Sequence, residues 1–276
     1  MKTAYLDGVF LPLDEVKISP LDRGFLFGDG VYEVIPVYNG QGFCDKAHLK
    51  RLQQSLDGIE LSNPLSDEQW QAIFSQLITA NGPRQLIYLQ VTRGVQTHRG
   101  HTFDEKQITP TLFAMSMPFH EPNHDGLSAI ITDDTRWFDC YIKSTNLLPN
   151  VLQLRHAHAN NANEVIMLRE GFVTEAAASN VFIVKNNIVQ TPPDNPNILP
   201  GITKQFILKL ARQNKIAAEE VMLSERMLLA ADEIWLSSSS KEIAPVIKLN
   251  GEPVGLGKPG PIWQTMQNFY QKNTPK

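Results

Sequence analysis

Two residues suggest a reaction. Lys143 lies in Cys140-Tyr141-Ile142-Lys143-Ser144-Thr145-Asn146-Leu147-Leu148, between apolar residues and a short polar patch. Glu175 lies further on, next to small residues in Thr174-Glu175-Ala176-Ala177-Ala178-Ser179-Asn180. A lysine amine near apolar groups has its ammonium form disfavoured and becomes a usable nucleophile, the group needed to form a Schiff base with an aldehyde. Taken alone, either residue type is far more often a solvated surface group, so the reading depends on the words around them.

Two further stretches have anion-binding chemistry. Leu199-Pro200-Gly201-Ile202-Thr203 runs into a helical pattern whose first turn holds Ile202 and Thr203. Free N–H groups at a helix start, approached closely past a glycine, make an anion site; the same five letters also fit a plain turn that opens a helix. In Arg93-Gly94-Val95-Gln96-Thr97-His98-Arg99-Gly100-His101, the fork of an arginine can hold a carboxylate through two parallel hydrogen bonds, and a neighbouring imidazole adds a third donor. Read by itself, this stretch is also an ordinary solvated loop.

These groups need a scaffold, and strand and helix patterns segregate along the chain in the α+β manner. Over residues 4–43, apolar pairs flanking Asp7-Gly8 and Asn39-Gly40 predict hairpins and an opening β-meander. From Asp45 the period becomes helical, with Leu49, Leu52, Leu56 and Ile59 on one face. Pro64 and Ser66-Asp67-Glu68 stop it and start a second helix over 67–80. Strands are expected at 85–91 and 111–116, separated by the polar loop 93–110. The stretch 119–124 lies in a run rich in proline and polar residues and reads as a linker. It separates a small N-terminal α+β domain (1–118) from a larger C-terminal α+β domain (125–276) that contains Lys143. The latter predicts helices at 147–161, 202–213, 224–231 and 260–272, and strands at 164–168, 180–184, 187–190, 233–236 and 246–249.

Composition narrows the function classes. A formal charge of −4 gives no electrostatic reason to expect nucleic acid. Cys44 and Cys140 are too few for a disulfide framework and have no metal-ligand spacing, so a reducing compartment is expected and no metal. No apolar run approaches the roughly 18 to 20 residues of a membrane span, and no leader pattern opens the chain, so membrane attachment is not expected and the location reads as cytoplasmic.

The word around Lys143, IKSTNLLPNVL (142–152), and the word around Glu175, VTEAAASNVF (173–182), resemble the two signatures of the fold-type IV pyridoxal-phosphate enzymes, the class-IV aminotransferase family. Asp22-Arg23-Gly24 near the start and Ser239-Ser240-Lys241-Glu242-Ile243 near the end match in the same order, so the likeness covers nearly the whole chain. Among its branches the chain is most similar to the D-amino-acid (D-alanine) transaminases; branched-chain aminotransferases and aminodeoxychorismate lyases are relatives. The resemblance implies a two-domain α+β fold of that type and pyridoxal 5'-phosphate as cofactor, with the ring as electron sink and the protein supplying placement and electrostatics. It implies that Lys143 forms the Schiff base and then moves the Cα proton, and that Glu175 keeps the ring nitrogen protonated. It implies that Arg51, Leu199, Ile202, Thr203, Ser239 and Ser240 also hold the cofactor, chiefly at its phosphate. Without the resemblance, Arg51 reads as a surface arginine on a helix otherwise solvated, and the serine run as a loop. Tyr32, Arg99 and His101 are implied to trap the α-carboxylate of amino-acid and 2-oxo-acid substrates. The loop of Arg99 and His101 would come from the second subunit of a homodimer, with the active site near the subunit interface.

Two features separate the branches. The lyases carry Arg-Gly-Tyr where this chain has Arg99-Gly100-His101, and a histidine where it has Ser144. Both favour transfer of an amino group from a D-amino acid such as D-alanine to 2-oxoglutarate. Aminodeoxychorismate lyase, releasing 4-aminobenzoate and pyruvate, is the alternative on the same scaffold; a branched-chain L-transaminase ranks third, and a non-catalytic binding protein last. Against the D-transaminase pattern, the loop before Arg99 is longer by a residue, Ala176, Ala177 and Ala178 replace glycine and serines, and Tyr141 replaces an acid.

Overall fold

The dipeptides that predict hairpins form them. In the computed structural model, which describes residues 2–275, Asp7 and Gly8 (φ 45° and 97°) turn β1 (Thr3–Leu6) into β2 (Val9–Pro12). After α1 (Arg23–Phe27), Asn39 and Gly40 (φ 47° and 79°) turn β3 (Gly30–Tyr38) into β4 (Gln41–Gly42). Positive φ at both central residues gives a turn whose twist matches that of the strands. The hairpins do not join into one meander. With β5 (Gln85–Thr92) and β6 (Thr111–Met117) they form an antiparallel six-stranded sheet in the order β2-β1-β6-β5-β3-β4. β3 is long enough to pair with β5 from Gly30 opposite Thr92 to Val37 opposite Gln85, which leaves the short β1 to pair with β6.

One face of this sheet is covered by α2 (Asp45–Gly58) and α3 (Asp67–Asn81), the second opened by a reciprocal capping box between Ser66 and Gln69. Leu49, Leu52 and Leu56 of α2 and Trp70, Phe74 and Leu77 of α3 pack on Val31, Ile35, Ile87, Leu89 and Ala114. The alternate positions point the other way, where Tyr32 stacks on Tyr88 at 5.6 Å.

The rest of the described chain builds a nine-stranded sheet. Its elements are β7 (Leu127–Asp133), α4 (Leu148–Ala159), β8 (Glu164–Arg169), β9 (Phe172–Ala176), β10 (Asn180–Lys185), β11 (Ile188–Thr191), α5 (Ile202–Gln213), β12 (Ala218–Glu220), α6 (Glu225–Leu229), β13 (Glu233–Ser238), β14 (Glu242–Leu249), β15 (Glu252–Pro253) and α7 (Pro261–Asn273). The order is β12-β11-β10-β13-β14-β7-β8-β9, with β15 on β14. β7 and β8 are parallel and therefore need the crossover that α4 provides. No helix among the described residues is long and apolar enough to cross a membrane.

By compactness the chain forms two units. The first runs to Phe119 and takes in Ile142–Asn146 and Pro275; the second holds His120–Tyr141 and Leu147–Thr274. Chain order alone assigns Lys143 to the C-terminal part, yet its segment packs with the first unit. The cause is local: Ile142 is buried in the first unit's core, and just after it the Lys143 carbonyl and the Thr145 N–H bond to Tyr32 and Gly30 of β3.

Candidate active site

Lys143 belongs to no helix or strand, and its place is fixed by backbone bonds. Its N–H donates to Ser55 Oγ (3.1 Å), and its carbonyl accepts from the N–H of Tyr32 (3.0 Å). Thr145 N–H donates to Gly30 O (3.0 Å), and the Thr145 hydroxyl bonds the carbonyls of Gly28 and Gly30. Gly28 is required here, because it has φ 69° and an added Cβ would stand 2.1 Å from Asn146 Oδ1. The lysine side chain thus springs from a fixed base, and its Nζ lies 4.2 Å from the centre of the Tyr32 ring. Tyr88, which stacks on Tyr32, has its hydroxyl pushed up to about 12, first by burial and then by Tyr32.

Arg51 is not the surface arginine that its helix suggests. Glu33 interrupts the apolar positions of β3 on the face covered by α2 and is fully buried. Its carboxylate accepts from Arg51 Nε (2.7 Å) and Nη2 (2.8 Å) and is 2.7 Å from His48 Nδ1, one turn earlier on α2. Burial alone would raise the Glu33 carboxyl, but Arg51 and His48 outweigh it and hold the group far below the usual carboxylate range. His48 is lowered, chiefly by burial, so a neutral imidazole donates from Nδ1. Arg51 is therefore a cation locked in direction by a buried acid.

Tyr32, Arg99 and His101 do not form one group. Arg99 and His101 sit on an exposed loop against the ring of Phe27, at 5.0 and 5.4 Å. Tyr32 meets Lys143 and Tyr88 instead, and no hydrogen bond or ring contact links the two sets among the described residues.

In the second unit, Glu175 stands near the end of β9 with little exposure. One carboxylate oxygen pairs with Arg136 Nη1; the other accepts from Leu199 N–H (3.3 Å) and Asn180 Nδ2 (3.3 Å). Arg136 is itself held by Asp134, through Nε (2.9 Å) and Nη2 (2.8 Å). Asp134 also accepts from the Thr174 hydroxyl (2.8 Å) and stays below its ordinary value, because these bonds outweigh its burial. Burial raises the Glu175 carboxyl above its ordinary value, with Arg136 only partly opposing it. An acid in this condition gains from a further cation brought to it, such as a protonated pyridine.

Asn180 also donates to the carbonyl of Leu199 (2.9 Å), which ties the stretch before α5 to the acid. Gly201 caps α5 without a side chain, and an added Cβ would lie 1.8 Å from Asn180 Oδ1. Ile202 and Thr203 follow in the first helical turn, where backbone N–H groups face an approaching anion. Ser239 and Ser240 form the turn between β13 and β14. The structure thus brings Lys143 to Tyr32, and Glu175 to Leu199 and the start of α5. A lysine on a fixed base, a buried acid and a glycine-lined helix start suit pyridoxal phosphate.

Sequence reasoning missed Glu33, His48, Asp134, Arg136 and Asn180. A charge among the apolar residues of Gly30–Tyr38 was the available signal for Glu33. Arg136 lies in a stretch without periodicity that offers none.

Comparison with known proteins agrees with this chemistry. A family model described as amino-transferase class IV matches residues 30–249. The chain is 39% identical over 276 residues to a D-alanine aminotransferase of Staphylococcus aureus (strain MSSA476), covering 99% of this chain and 98% of that one. It is 41% identical over 262 residues to a D-alanine aminotransferase of Listeria innocua serovar 6a, covering 93% and 91%. The PLP-bound form of a hypothetical aminotransferase from Mycobacterium tuberculosis matches with a TM-score of 0.85 at 26% identity, over 98% of this chain and 97% of that one. Matched across the stretch that holds both Lys143 and Glu175, the chain belongs to the class IV aminotransferases, which are pyridoxal-phosphate enzymes.

Proposed function

We propose that this enzyme moves the amino group of a D-amino acid such as D-alanine to 2-oxoglutarate, with Lys143 as the amine that bonds the cofactor. The observation that carries the reading is that exposed Arg99 and His101 both lie against the Phe27 ring, a guanidinium and an imidazole of a kind suited to a carboxylate. Relatives named D-alanine aminotransferase support the choice of donor.

When bound, pyridoxal phosphate supplies an aldehyde and an electron-withdrawing ring. Lys143 would be the amine that holds it, and its Nζ, beside Tyr32, would carry the substrate's Cα proton as a base. Tyr32, beside Lys143 Nζ, would meet the substrate carboxylate from one copy of the chain, and Arg99 and His101 from the second copy. Glu175, buried and paired with Arg136, would be the acid that faces the ring nitrogen and keeps it protonated. Arg51, the N–H groups of Ile202 and Thr203, and the hydroxyls of Ser239 and Ser240 would hold the phosphate.

The enzyme works as a homodimer in the cytoplasm in this reading. Leu148, Val151 and Leu152 of α4 are 68%, 50% and 52% exposed at helical spacing, an apolar face that a second copy would cover. Purified enzyme given D-alanine and 2-oxoglutarate is expected to form pyruvate and D-glutamate, with L-alanine inert. Inert D-alanine together with rapid 4-aminobenzoate formation from aminodeoxychorismate would assign the lyase reaction instead. Mixing Lys143→Ala with Arg99→Ala protein, assayed at D-alanine too low for the Arg99→Ala parent to turn over, is expected to restore activity; no recovery would refute loop sharing.

A further inference from the structure

We infer that Arg23 is a positioning residue that sets the Arg99–His101 loop for carboxylate capture; the inference rests on the carboxylate role proposed above for that loop. Arg23 is the second residue of Asp22-Arg23-Gly24, a motif for which the reaction has no other use. It is almost fully buried at the start of α1. Its guanidinium reaches four acceptors at once: Asp29 Oδ2 through Nε (2.8 Å), Gln96 Oε1 and Gly100 O through Nη1 (2.8 Å each), and His101 O through Nη2 (3.2 Å). Gln96 extends the clip by donating from Nε2 to Thr102 O (3.0 Å).

Rings complete the arrangement. The guanidinium groups of Arg23 and Arg93 lie 4.6 and 4.5 Å from the centre of the Phe103 ring, and Arg93 shares Asp29 with Arg23. Phe27, one turn beyond Arg23, is at 4.9 Å from the same guanidinium and supports Arg99 and His101 on its ring. Arg23 therefore fixes the backbone immediately after Arg99 and at His101, and through Phe27 it also fixes the surface on which both side chains rest. Only a planar fork of five donors serves these acceptors together; a lysine keeps the charge beside Asp29 and loses the span.

The test is Arg23→Lys holoenzyme, with Gln96→Ala as a second variant that leaves Arg23 in place and removes its link to Thr102. Carboxylate binding contributes to ground state and transition state alike, so its loss raises KM and leaves kcat nearly unchanged. For Arg23→Lys we expect KM for both D-alanine and 2-oxoglutarate to rise about tenfold or more, with kcat within about threefold. Hydroxylamine, which has no carboxylate, should react with the bound cofactor at the wild-type rate, a result that general damage to the fold would not give. Gln96→Ala should show the same pattern at several-fold, and it carries the test if Arg23→Lys does not fold. Unchanged KM values in the folded variants overturn the inference, as does an equal loss toward hydroxylamine. Arg99→Ala is measured alongside: unchanged KM there refutes the carboxylate reading itself, whereas a raised KM there with normal Arg23→Lys and Gln96→Ala refutes only the role of Arg23.

Discussion

Replacing Glu33 with glutamine tests the buried lock that fixes the direction of Arg51. In the native protein a fully buried carboxylate takes two hydrogen bonds from Arg51, at 2.7 and 2.8 Å, and lies 2.7 Å from His48 Nδ1. The amide keeps the shape, removes the charge and turns an NH2 group toward the guanidinium. An arginine left without its counter-charge in such a place costs about 3–5 kcal/mol. At roughly 2–4 °C per kcal/mol for a chain of this size, the unfolding transition should fall by about 6 to 20 °C. Lys50→Gln, on the exposed side of the same helix, is the control and should change stability by less than about 0.5 kcal/mol. The pH dependence has a defined sign. Because the folded Glu33 carboxyl lies below its ordinary 4.5, its stabilisation is present above that value and is lost as the pH falls below it. The gap between wild type and Glu33→Gln should therefore narrow in acid. His48, lowered from 6.5, removes stability of its own as the pH drops below that value. Calorimetry or thermal circular dichroism of the apo proteins between about pH 3 and pH 8 reads all of this. A drop of less than about 2 °C at neutral pH would show that the Glu33–Arg51 pair is not the lock described here.

Two further substitutions probe the second unit. Gly201→Ala forces Asn180 off Glu175 and Leu199, since the new Cβ would lie 1.8 Å from Asn180 Oδ1; losing hydrogen bonds to a charged group predicts cofactor affinity weaker by about tenfold to 100-fold in a spectroscopic titration. An unchanged affinity would separate this loop from cofactor binding. Arg136→Gln removes the cation that opposes burial at Glu175, whose carboxyl is already raised above its ordinary 4.5. A raised acid contributes stability that is complete below its ordinary value and is lost as the pH rises through the folded one. Apo Arg136→Gln should thus lose more stability than wild type between about pH 5 and pH 8, and a difference constant with pH contradicts the pairing.

The family was legible because short words mark the segments around Lys143 and Glu175, and the turns at Asp7-Gly8 and Asn39-Gly40 were legible because few residues adopt positive φ. α5 could be read from its glycine start and strong apolar face, Ile202–Gln213. The strand that carries Glu175 could not. Phe172–Ala176 is buried after its first residue and shows no alternation for the eye to find. α1 is too short, at five residues, for any period. Arg51 looked solvated because its partner Glu33 is on another element, and nothing in the helix itself records that contact. The pairing of β1 with β6 joins residues about a hundred positions apart, which local pattern does not encode. Ile142 explains the remaining difference: one apolar side chain and a few backbone bonds place the lysine with the first unit rather than with its neighbours in sequence.

The central claim is that one amine, Lys143, carries the cofactor. Borohydride reduction of the holoenzyme, followed by digestion and mass spectrometry, tests it directly. A single phosphopyridoxyl group on Lys143, absent from Lys143→Ala protein, is the expected result. Lys204, buried against Asp194 and Glu220, and Lys241, paired with Glu164, should be unlabelled. A label on either of them, or on any lysine other than Lys143, contradicts the account.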